Sequence, residues 1–424
     1  MSRLNYPAFI IFSAIMMYPN NAAINADADS VSPISKQWTA DYENYKPNVV
    51  AIKDRVFHVG LHQNAVNLTS TDGVLVNVCN FTLSPDKIVK PNIVRPVALG
   101  NGKIVVRTMM SQVVTTYQSP TDSQVWDLFI IVDPLDCTST RTAEVYNKGW
   151  ERDVAAVVPY QDSFDVFYRK SSANNDTSGE VFKTPRRFND QAVQINLEHH
   201  LGLEADIVGF HIDTVKPYDA SEGYVCTLAS KTDNTMLLKR LDSRFQLVKE
   251  TKVEPWANVI SVADDSVSLC YITANVIPQT LGDEKNLYKY AVTCSQFDAK
   301  DLTRRATVRL HEPEIVNGKV LKPEVIKVVK LPGGATVAAI AFKHSGMSED
   351  KGYTTDYYLQ RINADGSTAE AVHVGSYTNF FDFMSLVSLG GGEVCLAVVG
   401  EVEPRFGYKN MRINVTSKCF NMLK

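Results

Sequence analysis

The sequence lacks a long apolar run, an excess of either charge and closely spaced cysteines. Its 43 Lys plus Arg and 47 Asp plus Glu give a net charge of −4, which offers no reason to expect a nucleic acid or an anionic membrane as partner. No segment approaches the roughly 20 consecutive apolar residues that a membrane-spanning helix requires. Because there is no C-x-x-C pair, a structural zinc site has no support.

Familiar catalytic and repeat motifs are also missing. The sequence contains no Gly-x-Ser-x-Gly, no His-Glu-x-x-His, no phosphate-binding loop and no calcium loop. The dipeptide Trp126-Asp127 occurs once, whereas WD-type repeats would show it in every unit. We therefore assign no family and expect no cofactor. At 424 residues, 45% of them hydrophobic, the chain is long and apolar enough for several domains or one large one.

The N-terminus has the features of a secretory signal peptide. Arg3 precedes the apolar run 8–17, and Ala26-Asp27-Ala28 fits the small-x-small cleavage pattern, with Ala22-Ala23 as an alternative. We expect residues 1–28 to be removed and the protein to be secreted. A buried N-terminal strand or helix is the other interpretation.

Four N-x-S/T triplets are consistent with export through a eukaryotic secretory route. Each triplet arises easily by chance, but together with the signal peptide they predict N-glycosylation. The predicted sites are Asn67, Asn80, Asn175 and Asn414. In an oxidising compartment, disulfides become plausible.

A unit of two apolar strands joined by a tight polar turn recurs along the chain. One copy runs from Val97 through Gly100-Asn101-Gly102 to Val106. Seven copies follow one another at a loosely regular interval. Their turns are marked by Asp54, Gly102, Asp162, Gly223, Asp265, Gly334 and Gly392.

Each copy is followed by two more strand-like runs rich in Val, Ile, Thr and Tyr. Four antiparallel strands repeated seven times predict an all-β fold, a seven-bladed β-propeller spanning residues 47–424. Such blades cannot cover both of their faces alone and must stack on their neighbours. The only stretch with helical periodicity is 190–200.

The seventh unit contains only three strands before the chain ends, near 384–389, 393–399 and 410–419. The segment 29–46 precedes the first blade and has no other role. We therefore predict that it supplies the outermost strand of the last blade and closes the ring. The alternative is a disordered leader.

The cysteines follow the repeat. The spacing from Cys270 to Cys294 equals the spacing from Cys395 to Cys419, which hold the equivalent places in another unit. Equal spacing in equivalent units predicts two disulfides within blades. Cys226 has no cysteine at that spacing after it, so we expect a buried free thiol.

The remaining cysteines, Cys79 and Cys137, lie in neighbouring units and could form a disulfide across them. The alternative is that all seven cysteines are buried and reduced.

The candidate active site is the mouth of the central channel, where the innermost strands of a propeller begin. Carboxylates beside arginines there could orient a sugar or peptide, or act as acid and base if their pKa values were split. The candidates are Arg95, Arg152, Asp153, Asp206, Asn258 and Asp382. The alternative is that these residues only solvate the channel mouth.

A weaker candidate is a metal site in the histidine-rich stretch 199–213. Histidine and carboxylate together can bind a divalent metal, and His211 and Asp213 would share one face of a strand. A solvated loop is the alternative.

Two functions from different classes fit these features. The first is a secreted, monomeric glycoprotein that binds an extracellular protein or glycan. The alternative is a secreted propeller hydrolase or lyase that acts on glycans at the channel mouth. An enzyme of this kind should gather two carboxylates within about 5 to 9.5 Å, whereas a binding protein should expose an apolar patch.

Overall fold

The computed structural model describes the greater part of the chain after residue 35. The described residues are 36–43, 48–62, 65–71, 75–82, 88–112, 124–137, 141–147, 153–170, 181–195, 210–219, 223–230, 236–254, 259–262, 265–277, 287–311, 322–344, 353–379, 384–403 and 412–423. They contain no α-helix; the only helical turns among them are 3₁₀ turns at Pro332–Gly334 and Gly390–Gly392. None of the helices in this part of the chain could cross a membrane.

These residues form seven four-stranded antiparallel sheets, six of them built from consecutive strands. The first contains β2 (Asn48–Ile52), β3 (Arg55–His62), β4 (Ala65–Thr71) and β5 (Leu75–Thr82). The second contains β6 (Ile88–Ala98), β7 (Ile104–Gln112), β8 (Gln124–Val132) and β9 (Arg141–Asn147). The third contains β10 (Asp153–Tyr160), β11 (Ser163–Lys170), β12 (Val181–Asn189) and β13 (Gln194–Ile195).

The next three sheets repeat the same order. The fourth contains β14 (Phe210–Asp219), β15 (Gly223–Ser230), β16 (Met236–Leu241) and β17 (Leu247–Val253). The fifth contains β18 (Val259–Val262), β19 (Ser266–Ile277), β20 (Leu287–Asp298) and β21 (Arg304–Arg309). The sixth contains β22 (Lys322–Lys330), β23 (Thr336–Lys343), β24 (Tyr353–Ile362) and β25 (Val372–Asn379).

The seventh sheet joins the two ends of the described chain. It contains β26 (Met384–Ser388), β27 (Glu393–Glu403), β28 (Arg412–Asn421) and β1 (Lys36–Glu43). β1 pairs antiparallel with β28, with Lys36 opposite Cys419 and Glu43 opposite Arg412. The outermost strand of this sheet thus comes from the segment to which the sequence assigns that place.

The sheets form one core because alternate residues of a strand face opposite neighbours. In β7, Ile104 and Val106 pack against the first sheet, while Val105 packs against the third. Strands buried on both faces need apolar residues at successive positions, as in the run Ile104-Val105-Val106. The predicted all-β architecture of four-stranded antiparallel blades is confirmed.

The tight turns of the repeat depend on residues that accept unusual backbone angles. Gly223, at the start of β15, has φ +125°, and a Cβ there would collide with the backbone oxygen of Leu241. Only glycine fits this position, since both the dihedral and the space exclude a side chain.

The innermost strands of successive sheets are in contact, and β26 of the seventh sheet also contacts β2 of the first. Val49 and Val56 of the first sheet share a buried cluster with Val399 and Val415 of the seventh. His58 lies in the same seam, fully buried, with its Nε2 3.3 Å from Ser417 Oγ. The first and last sheets are therefore packed together through apolar and polar contacts.

Burial in this seam makes His58 a source of acid sensitivity. Desolvation lowers the pKa of His58 from 6.5 to about 3. Because the unfolded chain binds this proton more tightly, stability is complete above pH 6.5 and falls as the pH drops toward 3. We expect a loss of about 2 kcal/mol at pH 5 relative to pH 7, measured by urea unfolding.

His58→Gln is the matched variant for this prediction. Glutamine keeps a polar side chain at this position but cannot be protonated as histidine is. Between pH 7 and pH 5, the variant should therefore lose about 2 kcal/mol less of its unfolding free energy than the wild type does. An identical pH profile for the two proteins would contradict the prediction.

One secondary-structure prediction is wrong. Residues 190–195 are not helical; they form a turn followed by β13, which pairs with β12. The Asn189 side-chain oxygen accepts hydrogen bonds from the backbone N–H groups of Gln191 and Val193 at 3.0 and 2.9 Å. This local turn competes with helix formation and starts a hairpin instead.

The predicted disulfides are confirmed. Cys270 lies directly opposite Cys294, and Cys395 lies opposite Cys419, so each bond joins the second and third strands of one sheet. Cys79 bonds Cys137 and links the first sheet to the residues after β8 in the second. Cys79 lies on β5, the fourth strand of its sheet.

Cys226 is a buried free thiol, as predicted. The residue directly opposite it on β16 is Lys239, which occupies the place of the partner cysteine in the sister sheets. Lys239 is also buried, and its Nζ lies 3.3 Å from Glu250 Oε2. Burial raises the pKa of Cys226 to about 12, so the group remains an unreactive thiol at neutral pH.

Candidate functional site

The sixth sheet carries a group of polar side chains around Asp356, here called the Asp356 cluster. Its other members are His344, Tyr358, His373 and Ser376. His344 Nε2 lies 2.7 Å from Asp356 Oδ2, and Ser376 Oγ donates to Asp356 Oδ1 at 2.5 Å. His373 Nε2 lies 4.0 Å from Oδ1. Each carboxylate oxygen of Asp356 thus faces a potential proton donor. Oδ2 faces the imidazole of His344, and Oδ1 faces that of His373.

Strand register explains how these side chains meet. Asp356 of β24 is directly opposite Ser376 of β25, and Tyr358 is directly opposite His373. The register shifts between these two pairs, so β25 has one more residue than β24 over this stretch. Without that bulge, residues three apart on a strand would face opposite sides of the sheet. The bulge therefore brings His373 and Ser376 to one face.

Gly375 makes this bulge possible. It has φ +149°, and a Cβ there would lie 3.3 Å from the Tyr377 ring and 3.4 Å from Lys418 Nζ. Both the backbone angle and the crowding favour glycine. The position of His373 is thus fixed by local backbone geometry.

The cluster lies near the end of the sheet where β23 ends and β24 begins, and it is partly open to solvent. These two strand ends meet because neighbouring strands are antiparallel, and His344 directly follows β23. The side chain of Asp356 is 14% exposed, that of His344 29% and that of His373 43%. Solvent can reach both imidazoles, while the carboxylate that orients His344 is mostly buried.

Aromatic rings adjoin the cluster on the side of the fifth sheet. The Tyr358 ring lies 4.9 Å from the His373 ring and 4.6 Å from that of His311, which follows β21. Burial raises the pKa of Tyr358, and the Asp356 charge adds to the effect, so its hydroxyl stays protonated at neutral pH. Burial also lowers the pKa of His373 and favours its neutral form, with Asp356 opposing.

The arrangement suits proton transfer better than nucleophilic catalysis by serine. In a serine nucleophile the hydroxyl contacts the histidine, whereas Ser376 donates to the carboxylate. An ionised carboxylate only accepts hydrogen bonds, so His344 donates through Nε2. Its Nδ1 is then the ring nitrogen that can accept or release a proton. Asp356 holds the ring in this tautomer, as a carboxylate does in general acid–base catalysis.

Two of the active-site residues predicted from the sequence lie on the innermost strands of other sheets. Asp153 is the first residue of β10, where the innermost strand of the third sheet begins, and Arg95 lies within β6, which starts already at Ile88. Arg152, Asp206, Asn258 and Asp382 lie outside the described residues.

The predicted metal ligands His211 and Asp213 lie on β14. The register with β15 shifts between Ile212 and Thr214, so the strict alternation behind that prediction is interrupted at Asp213. Of the predicted glycosylation sites, Asn67 on β4 and Asn80 on β5 are directly opposite each other.

Asn414 lies on β28, opposite Asp41 of β1. Asn175 lies outside the described residues. Glycosylation at all four asparagines stays a prediction.

Two other side-chain groups in the described residues are a carboxylate beside a disulfide and a buried ion pair. Glu393, Cys395 and Cys419 place potential metal-ligand atoms within 4.8 Å of one another, but the disulfide removes both thiolates. Arg107 and Asp127 form a buried ion pair within the second sheet, with Nε and Oδ1 2.7 Å apart.

Sequence reasoning missed the Asp356 cluster, because its members come from different strands of one sheet. His344, Asp356 and His373 are well separated along the chain, and no short motif joins them. The usable signal was positional, since His344 directly follows the second strand of the sheet and Asp356 lies near the start of the third. Such a pair meets across the hairpin.

No protein-family model matches the chain, and no curated protein matches it. Among solved structures, it is similar to a prolyl oligopeptidase B from Galerina marginata, with 11% identity, a TM-score of 0.45 and coverage of 89% of this chain and 52% of that one. It is also similar to a Penicillium chrysogenum α-L-arabinanase solved with arabinobiose, with 14% identity, a TM-score of 0.43 and coverage of 81% and 95%.

A third similar structure is an oligogalacturonate lyase from Vibrio parahaemolyticus, with 9% identity, a TM-score of 0.42 and coverage of 80% of this chain and 100% of that one. The chain spans about half the length of the prolyl peptidases that it matches. With TM-scores below 0.5, these similarities do not say what this chain does.

Proposed function

We propose that this protein is a secreted propeller enzyme that cleaves a glycan by proton transfer at the Asp356 cluster. The observation that carries the proposal is the 2.7 Å contact between His344 and Asp356, in a partly exposed site that a second imidazole also faces. Three disulfides suit an oxidising compartment.

The composition of the cluster favours elimination over hydrolysis. Glycoside hydrolysis ordinarily uses two carboxylates on either side of the bond, whereas Asp356 is the single carboxylate of this cluster. Elimination needs a base and an acid instead. The base removes a proton from the carbon beside a substrate carboxylate, the bond to the leaving sugar oxygen breaks, and a carbon–carbon double bond forms. The acid then protonates the leaving oxygen.

Two imidazoles on one carboxylate can fill these roles. His344 is oriented by Asp356 and exchanges a proton through Nδ1. The bulge places His373 Nε2 4.0 Å from the other carboxylate oxygen, and this imidazole supplies or receives the second proton. The substrate class is then a polysaccharide that contains uronic acids, because the removed proton must be acidified by a neighbouring carboxyl group.

The test is an assay of the purified chain on uronate-containing and neutral polysaccharides. Reducing ends report any cleavage, and ultraviolet absorbance of an unsaturated product reports elimination alone. We expect elimination by the wild type and a roughly 100-fold lower kcat for His344→Asn and for Asp356→Asn, since acid–base groups contribute about this much or more.

Thr378→Ala is the matched control. Thr378 is exposed on β25, the strand that carries His373 and Ser376, and within the described contacts its side chain bonds only to Thr354. It should keep the wild-type kcat. Turnover that His344→Asn leaves intact would move the active site away from this cluster. Glycan binding without any new reducing end would favour the binding function.

A binding role is the second candidate, and one observation favours it. The exposed large apolar side chains among the described residues are all aliphatic, and several lie at the free edges of the third and fourth sheets. Ile195 lies on β13, Leu247 and Val248 lie on β17, and Val193 immediately precedes β13. An edge strand with apolar side chains can pair with a strand of a partner protein.

A further inference from the structure

The exposed large apolar side chains of the described residues all occupy one kind of position. Each lies between the end of the third strand of a sheet and the second residue of the fourth strand, or directly after a third strand at the end of the chain. They are Leu135, Val193, Ile195, Leu247, Val248 and Leu423. Exposed apolar side chains are ordinary when they are scattered, so their shared position is the informative observation.

Equivalent ends of the second, third and fourth sheets lie side by side. In the turns between first and second strands, the backbone N–H of Gly100 donates to the carbonyl of Gln161 at 2.7 Å. Tyr160 ends β10, and its ring lies 6.1 Å from that of Tyr224 near the start of β15. Because the strands are antiparallel, the turns between third and fourth strands lie at these same ends. Five of the apolar side chains thus line one side of three successive sheets, here called the aliphatic rim: Leu135, Val193, Ile195, Leu247 and Val248.

The predicted glycosylation sites and the Asp356 cluster lie at the opposite ends of their sheets. Asn67 and Asn414 are near the starts of the third strands β4 and β28, and Asn80 is near the end of the fourth strand β5. The Asp356 cluster lies where a second strand ends and a third begins. An N-linked glycan is bulky and keeps other macromolecules away from the surface around it. The side that carries the aliphatic rim has none of these three sites and stays open to a macromolecule.

The turns around the aliphatic rim are predominantly acidic. Lys103 Nζ lies 2.7 Å from Asp190 Oδ2, so this pair adds no net charge. An excess of carboxylates repels an anionic membrane surface, and it would bring like charges together if two copies of the chain met rim to rim. The complementary partner therefore carries basic side chains beside its apolar ones. The described residues of these turns include the carboxylates Asp133, Asp136, Asp162, Asp190 and Asp242 and the cations Lys103 and Arg244.

We propose that the aliphatic rim docks a partner protein through a segment that combines aliphatic and basic side chains. The aliphatic side chains of the two proteins form the dry centre of the interface, and the acidic turns contact the basic side chains at its margin. The charges steer the partner to this side of the sheets. The surface lies away from the Asp356 cluster, so the proposal does not rest on the proposed function.

The test is fluorescence anisotropy of a labelled synthetic peptide of alternating leucine and lysine, titrated with the full chain. We expect binding that weakens as salt is added, since the charges involved are exposed. Leu135→Ser and Val248→Ser should each bind roughly 10-fold more weakly, because each removes an aliphatic side chain that the peptide buries. Leu423→Ser is the matched control, since Leu423 is an exposed leucine on the seventh sheet, outside the rim. It should bind the peptide as the wild type does.

Several outcomes would overturn the proposal. They are no binding by the wild type, an equal loss in Leu423→Ser, or equally tight binding of a peptide with glutamate in place of lysine. Sedimentation of the chain alone and with anionic phospholipid vesicles tests the other occupants. Self-association or vesicle binding that Val248→Ser abolishes would assign the rim to a second copy or to a membrane instead. The substituted side chains are exposed, and far-ultraviolet circular dichroism of each variant shows whether it is folded.

Discussion

Deleting residues 36–43 should lower the free energy of unfolding by about 4 kcal/mol, because the eight-residue ladder with β28 is lost and each ladder hydrogen bond contributes at least about 0.5 kcal/mol net. This deletion removes β1, which pairs with β28 over its whole length. It also leaves β28 as an unpaired edge in the seam between the last and first sheets. Folded domains have about 5 to 15 kcal/mol in all, so the loss is a large fraction of the total.

The measurement is urea unfolding followed by circular dichroism. A deletion of residues 29–35, which leaves β1 intact, is the control and should unfold like the wild type. A synthetic peptide with the sequence of 29–45, added to the variant without β1, should restore stability by pairing with β28. Equal stability of the two deletions would reject the role of β1 in fastening the seventh sheet.

Asp165→Ala should cost about 3 to 5 kcal/mol, the usual effect of removing one partner of a buried charge pair. Asp165 is fully buried and accepts two hydrogen bonds from Arg187, at 2.7 Å from Nε and 2.9 Å from Nη2. Tyr224 of the fourth sheet donates to the same carboxylate. Arg187 also lies 3.7 Å from the centre of the Tyr160 ring. Without Asp165, the guanidinium would remain mostly buried between the third and fourth sheets, 13% of its side chain exposed, with its charge uncompensated.

Two further variants isolate the cause. Tyr224→Phe removes one hydroxyl and should cost only about 1 kcal/mol. The double variant Asp165→Leu, Arg187→Met replaces both charges with apolar groups and should be more stable than Asp165→Ala alone. If the double variant were the less stable of the two, the charge left unpaired would not be the source of the effect.

The sequence was sufficient to predict the repeat, because strands buried on both faces need runs such as Ile104-Val105-Val106 and turns such as that at Gly223 tolerate few residues. It was also sufficient for the disulfide pairs, since two cysteines opposite each other on paired strands keep the same spacing in equivalent sheets. Cys226 follows the same logic, with Lys239 in place of the partner.

The Asp356 cluster was not predictable in the same way. Regular alternation would place His373 and Ser376 on opposite faces of β25. The bulge between them depends on the register with β24 and on Gly375, and neither leaves a local pattern in the sequence. The helix prediction for residues 190–195 was wrong for a related reason. Hydrogen bonds to the side-chain oxygen of Asn189 stabilise a turn there, and the helical spacing of apolar residues does not reveal them.

The pairing of β1 with β28 has a consequence for synthesis of the chain. β1 leaves the ribosome first among the described strands, and its partner leaves last. Every other sheet can assemble from strands that are neighbours in sequence, but the seventh cannot be completed until β28 has left the ribosome. Contacts between such distant segments form slowly. An unpaired edge strand meanwhile favours misassociation with other chains. The emergence of β28, rather than that of any earlier strand, should therefore set the moment at which the described sheets become resistant to proteolysis.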